Sequence, residues 1–206
     1  MSTATIHTSG QAPPAPTPTG ASSRRLLTAA DLALFPKSLP SGDVRWELFN
    51  GELLPMSPPG YGHGKATLQF VAQLWLQGQQ KGLGQATDEV GVILRRNPDR
   101  VVGPDALFVM SKSLPVKLSP EGYLETIPEL VVEVRSKNDT GPEVEAKVRE
   151  YLAAGVELVW VADPDARTVT AHRPNQPAQV YAAADTLTAD PVIPGFAVPV
   201  AELFRT

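Results

Sequence analysis

A mixed α/β domain, a β-sheet flanked by helices with a hairpin near its N-terminal end, is expected on three observations. Pro128 to Ser136 reads Pro-Glu-Leu-Val-Val-Glu-Val-Arg-Ser, a short, nearly continuous apolar run of the kind that forms a strand buried on both faces. The stretch Pro142 to Ala154 opens on Gly-Pro and closes on Gly155, the punctuation of a helix. Glu157 to Asp163 is a second apolar run, stopped by the turn Asp163-Pro164-Asp165. Strand, helix and strand at this spacing make a βαβ unit with a right-handed crossover.

The remaining elements follow in order. Residues 1–23 are rich in Ser, Thr, Ala, Gly and Pro and are expected to form a disordered tail, leaving 24–206 as one domain. The tail lacks the apolar core of a secretory signal, and its prolines disfavour the amphipathic helix of a transit peptide. Thr28 caps a short helix that runs through Leu34 and stops before Pro36. Val44 to Met56 is a hairpin turning at Asn50-Gly51. A long helix is expected from about His63 to Gln80, with Leu68, Val71, Ala72, Trp75 and Leu76 on its buried face. Gln85 to Arg95 is expected as one strand, Asn97 to Arg100 as a turn and Asp105 to Met110 as the next strand. Ser111 to Thr126 is a polar excursion, and Arg167 to Arg173 and Ala178 to Ala184 form a final hairpin.

Composition bounds the chemistry. The 206 residues are 42% hydrophobic, enough for one good core. A net charge of −4 gives no global basic field for nucleic acid, so such binding would need a local patch. The absence of cysteine excludes disulfides, thiolate zinc sites and a cysteine nucleophile, and suits a cytoplasmic location. No apolar stretch approaches membrane-spanning length.

Three residues carry the chemical reading. Glu133 lies in the middle of a buried run, where a carboxylate must be paired, protonated or metal-bound. Asp105 follows Gly103-Pro104 at a strand start, and Lys147 falls at the border of the buried face of the following helix. If the two strands are neighbours, the two acids converge at one edge of the sheet and favour a hard cation, magnesium or manganese. Such an ion activates water and stabilises charge at a phosphorus centre, with a lysine adding positive charge or helping to deprotonate the water. Each residue also has a plainer reading. Taken alone, Lys147 pairs with Glu143 as a solvated helix salt bridge, Arg135 neutralises Glu133, and Asp105 is a turn residue.

Pro104-Asp105, Leu130 to Ser136, Lys147 with Tyr151, Gly155-Val156 and Trp160 to Pro164 together resemble the PD-(D/E)XK nuclease superfamily. Trp46 to Leu53, Met56 to Pro59 and His63 resemble the N-terminal pattern of its Uma-two branch of restriction-endonuclease-like proteins. The resemblance spans Thr28 to Phe204. It implies a restriction-endonuclease-like mixed sheet and a Mg²⁺ or Mn²⁺ ion on Asp105 and Glu133, with a backbone carbonyl such as that of Val134. It also implies hydrolysis of DNA and a homodimer. The superfamily's usual lysine, two residues after the glutamate, is here Arg135, which does not deprotonate; the lysine then comes from the next helix as Lys147. Glu47 and His63 are auxiliary candidates, though Glu47 also suits a pairing with Arg45, and Trp75 and Trp160 are expected in the core. Arg95, Arg96 and Arg100, around one turn, are the best local patch for DNA phosphates. The competing class is a catalytically silent nuclease fold that binds DNA or protein, favoured by the acidic charge and the displaced lysine.

Overall fold

The computed structural model describes residues 25–205 apart from 41 and 57, so the expected tail lies outside the described residues. Helix α1 (Ala29–Ala33) begins with a capping box in which the side chains of Thr28 and Asp31 accept each other's backbone N–H. Strands β1 (Ser38–Leu39) and β2 (Gly42–Asp43) form a small ladder. The expected hairpin follows as β3 (Arg45–Phe49) and β4 (Glu52–Met56). Its turn residues have φ 53° at Asn50 and 77° at Gly51, the left-handed pair that Asn-Gly tolerates.

Helix α2 (Tyr61–Gln77) is present, but rolled relative to the expectation. Ala66, Thr67, Phe70 and Leu74 face inward, while Leu68 and Trp75 are 64% and 43% exposed. The helix carries one formal charge, Lys65, so both of its apolar stripes are candidates for burial on sequence pattern alone.

Gln85 to Arg95 is two strands in two sheets, β5 (Gly84–Asp88) and β6 (Val92–Arg95). The break falls where Glu89 takes φ 55° and Gly91 sits against the Tyr123 ring, 2.5 Å from where a Cβ would stand. Strand β7 (Arg100–Val102) pairs with β6 and β3, completing an antiparallel four-stranded sheet in the order β4-β3-β7-β6.

The main sheet has six strands. To β5 are added β8 (Ala106–Met110), β9 (Leu130–Val134), β10 (Leu158–Asp163), β11 (Thr168–His172) and β12 (Gln179–Tyr181), in the order β12-β11-β10-β9-β8-β5. Only β9 and β10 are parallel, joined through helix α3 (Gly141–Ala154) as the βαβ reading requires. Thr140 and Glu143 form the capping box of α3, and Gly155 ends it at φ 107°, a conformation open to glycine. A ladder of β13 (Thr186–Thr188) and β14 (Ala197–Pro199) leads into α4 (Val200–Leu203).

Strand alternation splits the buried side chains between two layers. Phe108, Leu130, Val132, Leu158 and Trp160 pack towards Phe70 and Leu74 of α2 and Phe196 of the C-terminal segment. Leu107, Val109, Val131, Val159 and Val161 pack towards Val148 and Tyr151 of α3. A third cluster, Ala29, Leu32, Leu48, Ile93 and Val101, seats α1 on the four-stranded sheet. Among the described residues no helix is long and apolar enough to cross a membrane.

Candidate active site

The register of the main sheet determines which acids meet. β8 and β9 are antiparallel with Ala106 opposite Val132 and Leu107 opposite Val131. Asp105 stands one residue past the end of this ladder, at a bend beside Glu133, and Glu133 shares the parity of Val131, which packs on the α3 side. Asp105 Oδ2 accepts the backbone N–H of Val134 at 2.7 Å, which ties the acid to the strand that carries Glu133. Asp105 is thus a bend residue, as its plainer reading has it, whose carboxylate also reaches across to β9.

Helix α3 delivers two side chains to Glu133. Lys147 and Tyr151 are four residues apart and so share a helix face. Lys147 Nζ donates to Glu133 Oε2 at 2.9 Å and Tyr151 Oη donates to Oε1 at 2.5 Å. Glu143 is occupied in the helix cap with Thr140, so it does not pair with Lys147. Arg135 pairs with Asp163 at 2.7 Å and not with Glu133. Both plainer readings thus fail because better-placed partners exist.

The hairpin sheet contributes Glu47 from β3. It is 4% exposed. Its Oε1 lies 3.1 Å from Lys147 Nζ and accepts the Gly103 N–H at 3.1 Å, and its Oε2 accepts from Arg100 at 3.0 Å. Arg45 bonds Glu89 instead. His63, in the first turn of α2, lies with Nε2 3.3 Å from Asp105 Oδ2, and its buried Nδ1 has no partner among the described residues.

The arginine patch does not form as expected. Arg100 is 4% exposed and points inward, donating to Glu150 at 2.7 Å as well as to Glu47. Arg96 pairs with Asp99 at 3.1 Å and Glu125 at 2.9 Å, and Arg95 bonds the Asn50 side chain. Asn97 to Asp99 do turn, but Arg100 already belongs to β7, and strand geometry carries it into the domain.

The electrostatics follow from this crowding. Burial, then the charges of Asp105 and Glu47, push the Glu133 carboxyl up to about 7 against the pull of Lys147 and the Tyr151 hydrogen bond. Lys147 is shifted the other way: burial opposes its charge, but Glu133 and Glu47 outweigh burial and hold the ammonium well above its ordinary range. Glu47 stays ionised below its ordinary value, because Lys147 and Arg100 overcome its burial. The Tyr151 hydroxyl is raised by burial and by Glu133, and remains a donor. His63 holds its proton more tightly than usual, since the hydrogen bond and charge of Asp105 outweigh desolvation.

Sequence reading assigned Asp105, Glu133 and Lys147 to one place, and they do come together; His63 and Glu47 border them. It placed Tyr151 beside Lys147 in the family resemblance but gave it no role, although its spacing of four from Lys147 was a usable signal. Glu150 and the inward Arg100 left no recognisable pattern, because their contacts cross between sheets. Among the described residues no three His, Asp or Glu side chains gather as a ready-made metal cage.

Comparison with known proteins adds the lineage. The family Uma2, described as "Putative restriction endonuclease", matches residues 32–201. The fold is similar to a crystal structure titled as that of a "putative nuclease belonging to DUF820" from Anabaena variabilis ATCC 29413. The TM-score is 0.69 at 17% identity, covering 85% of this chain and 96% of that one. At that identity the likeness is one of fold. Comparison with curated proteins finds no match.

Proposed function

The chain belongs to the Uma2 family, and on that premise we propose that it is a metal-dependent nuclease hydrolysing DNA phosphodiester bonds. The observation that carries the reading is Asp105 hydrogen-bonded at 2.7 Å to the backbone N–H next to Glu133, with Lys147 Nζ 2.9 Å from Glu133. Asp105 and Glu133 are the residues that would hold Mg²⁺ or Mn²⁺. They are hard oxygen donors, and Glu133 is raised first by burial and then by the like charges of Asp105 and Glu47, costs that a divalent cation on the two acids would offset. Two carboxylates suit an ion that keeps several of its waters. Such an ion, when bound, supplies an acidified water and positive charge against the phosphate oxygens.

The protein's own groups have separable parts. Glu133 and Glu47 favour the charged form of Lys147, so its part in the proposal is electrostatic, opposing the charge that develops on the phosphate. Tyr151 and the Val134 N–H orient the two acids. His63 borders Asp105 as an auxiliary donor. Arg95 and Arg96, already engaged with Asn50, Asp99 and Glu125, offer at most a shared contact to DNA. The silent-module alternative rests on the acidic charge and the displaced lysine; the Lys147–Glu133 contact answers the second ground and leaves the first standing. A homodimer with two sites is part of the proposal, checked by sedimentation.

The test is nicking of supercoiled plasmid with Mg²⁺ or Mn²⁺ by wild type, Asp105→Asn and Glu133→Ala. Nicking by wild type alone is expected. Equal nicking by all three means a contaminant and sinks the reading. No nicking by any favours the silent module, and calorimetric titration with Mn²⁺ then decides whether metal still binds.

A further inference from the structure

We propose that Glu47, backed by Arg100, is the positioning residue that fixes the Lys147 ammonium, and is neither a metal ligand nor part of a DNA contact. Its consequence for rate rests on the nuclease reading; the cradle itself does not. A lysine side chain carries about 2 kcal/mol of rotamer entropy on a flexible stem. Held by Glu133 alone, Nζ would pivot about one contact. Glu47 Oε1, from a different sheet, takes it from the other side at 3.1 Å, opposite Glu133 Oε2 at 2.9 Å. Two carboxylates from two sheets locate a point charge that a single ion pair would leave swinging.

The support behind Glu47 is rigid. Its Oε2 accepts from Arg100 at 3.0 Å, and Arg100 is itself anchored by the Leu48 carbonyl at 2.9 Å, the Val101 carbonyl at 3.2 Å and Glu150 at 2.7 Å. Glu150 lies on α3, three residues after Lys147, so Arg100 also ties that helix to the hairpin sheet. A planar guanidinium suits this branching contact as an ammonium does not. The Phe49 ring lies 5.4 Å from the guanidinium carbon and covers it. Glu47 Oε1 further accepts the Gly103 N–H at 3.1 Å, two residues before Asp105. One carboxylate therefore steadies both the lysine and the segment that delivers the aspartate. Both Glu47 oxygens are engaged by protein donors, whereas Asp105 Oδ1 accepts no hydrogen bond among the described residues. That contrast sets Glu47 apart from Asp105; Glu133, whose oxygens meet Lys147 and Tyr151, differs from Glu47 in access, its side chain being 15% exposed against 5%.

The experiment reads the ammonium directly by ¹H–¹⁵N NMR of the lysine Nζ groups in the full chain. Wild type is expected to give one slowly exchanging ammonium signal, assigned by its loss in Lys147→Met. In Glu47→Gln that signal disappears into fast exchange. Because Glu47→Gln leaves Arg100 half-paired in the interior, a second variant, Glu47→Gln with Arg100→Met, removes both charges and keeps a foldable core. It must lose the signal too. A Lys147 signal as protected in either folded variant as in wild type overturns the proposal, whether or not the protein cuts DNA. Where wild type nicks plasmid, Glu47→Gln is expected to slow single-turnover cleavage about 100-fold, the scale of a small misplacement, with Mn²⁺ affinity within about twofold of wild type. Loss of Mn²⁺ binding in Glu47→Gln would make it a ligand and equally overturn the proposal.

Discussion

The six-stranded sheet presents the same strands to two different environments. Towards α2, Trp160 packs between Phe70 and Phe196 with ring centroids 5.9 and 5.3 Å away, in a cluster of aromatic and aliphatic side chains. Towards α3, alternate residues of the same strands begin as Val131, Val159 and Val161 and end in Glu133 beside Asp105 and Lys147. One face lowers free energy by removing apolar surface from water. The other gathers Glu133, Glu47 and Lys147 within salt-bridge distance, the arrangement the proposed nuclease reading draws on. A sheet can carry both because side chains alternate, so an apolar layer and a charged cluster occupy opposite parities of one β-strand.

Breaking the apolar face should have the largest effect on stability. Trp160→Ala is expected to cost about 3–5 kcal/mol in urea denaturation, by lost transfer energy and an unfilled cavity. A loss below about 1 kcal/mol would mean the α2 layer is not the stabilising one. Glu133→Gln sharpens the contrast from the other side. The folded carboxyl sits at about 7, above its ordinary 4.5, so the folded state binds the proton more tightly than the unfolded chain. That contribution is fully present below pH about 4.5 and lost as pH rises through about 7. Relative to Glu133→Gln, wild type should therefore lose about 1–3 kcal/mol between pH 5 and pH 8. Equal pH slopes for the two proteins would contradict the charge crowding. The smallest effect is expected from Tyr151→Phe. Removing one hydrogen bond to a charged acceptor costs about 1–2 kcal/mol at pH 8, where Glu133 is ionised, and less at pH 5, where it is protonated. A pH-independent loss in denaturation midpoint would assign Tyr151 to packing alone.

Much of this organisation was legible before any coordinates. The Asn50-Gly51 turn, the Thr140 to Gly155 helix punctuation and the two apolar runs around it are local signals, and local backbone preference decided them. Trp75 was misjudged because α2 is apolar on two stripes, and periodicity measures that a stripe exists, not which one meets the sheet. The strand from Gln85 to Arg95 was misjudged because alternation continues across a break where Glu89 takes a left-handed conformation and Gly91 lies against the distant Tyr123 ring. Arg100 was misjudged because its partners, Glu47 and Glu150, lie 53 and 50 residues away.

Residue types and short-range spacing by themselves determined the βαβ unit, the hairpin and the presence of two acids and a lysine in chemically suggestive places. They did so because turns, caps and alternation are written into a few neighbouring residues. Only the tertiary structure decided that Asp105 stands beside Glu133, that Lys147 turns to Glu133 and Glu47 rather than Glu143, and that Arg100 points inward. Those outcomes depend on strand register and on contacts between separate sheets, where the free energy of a charged side chain is set by neighbours that chain order does not reveal.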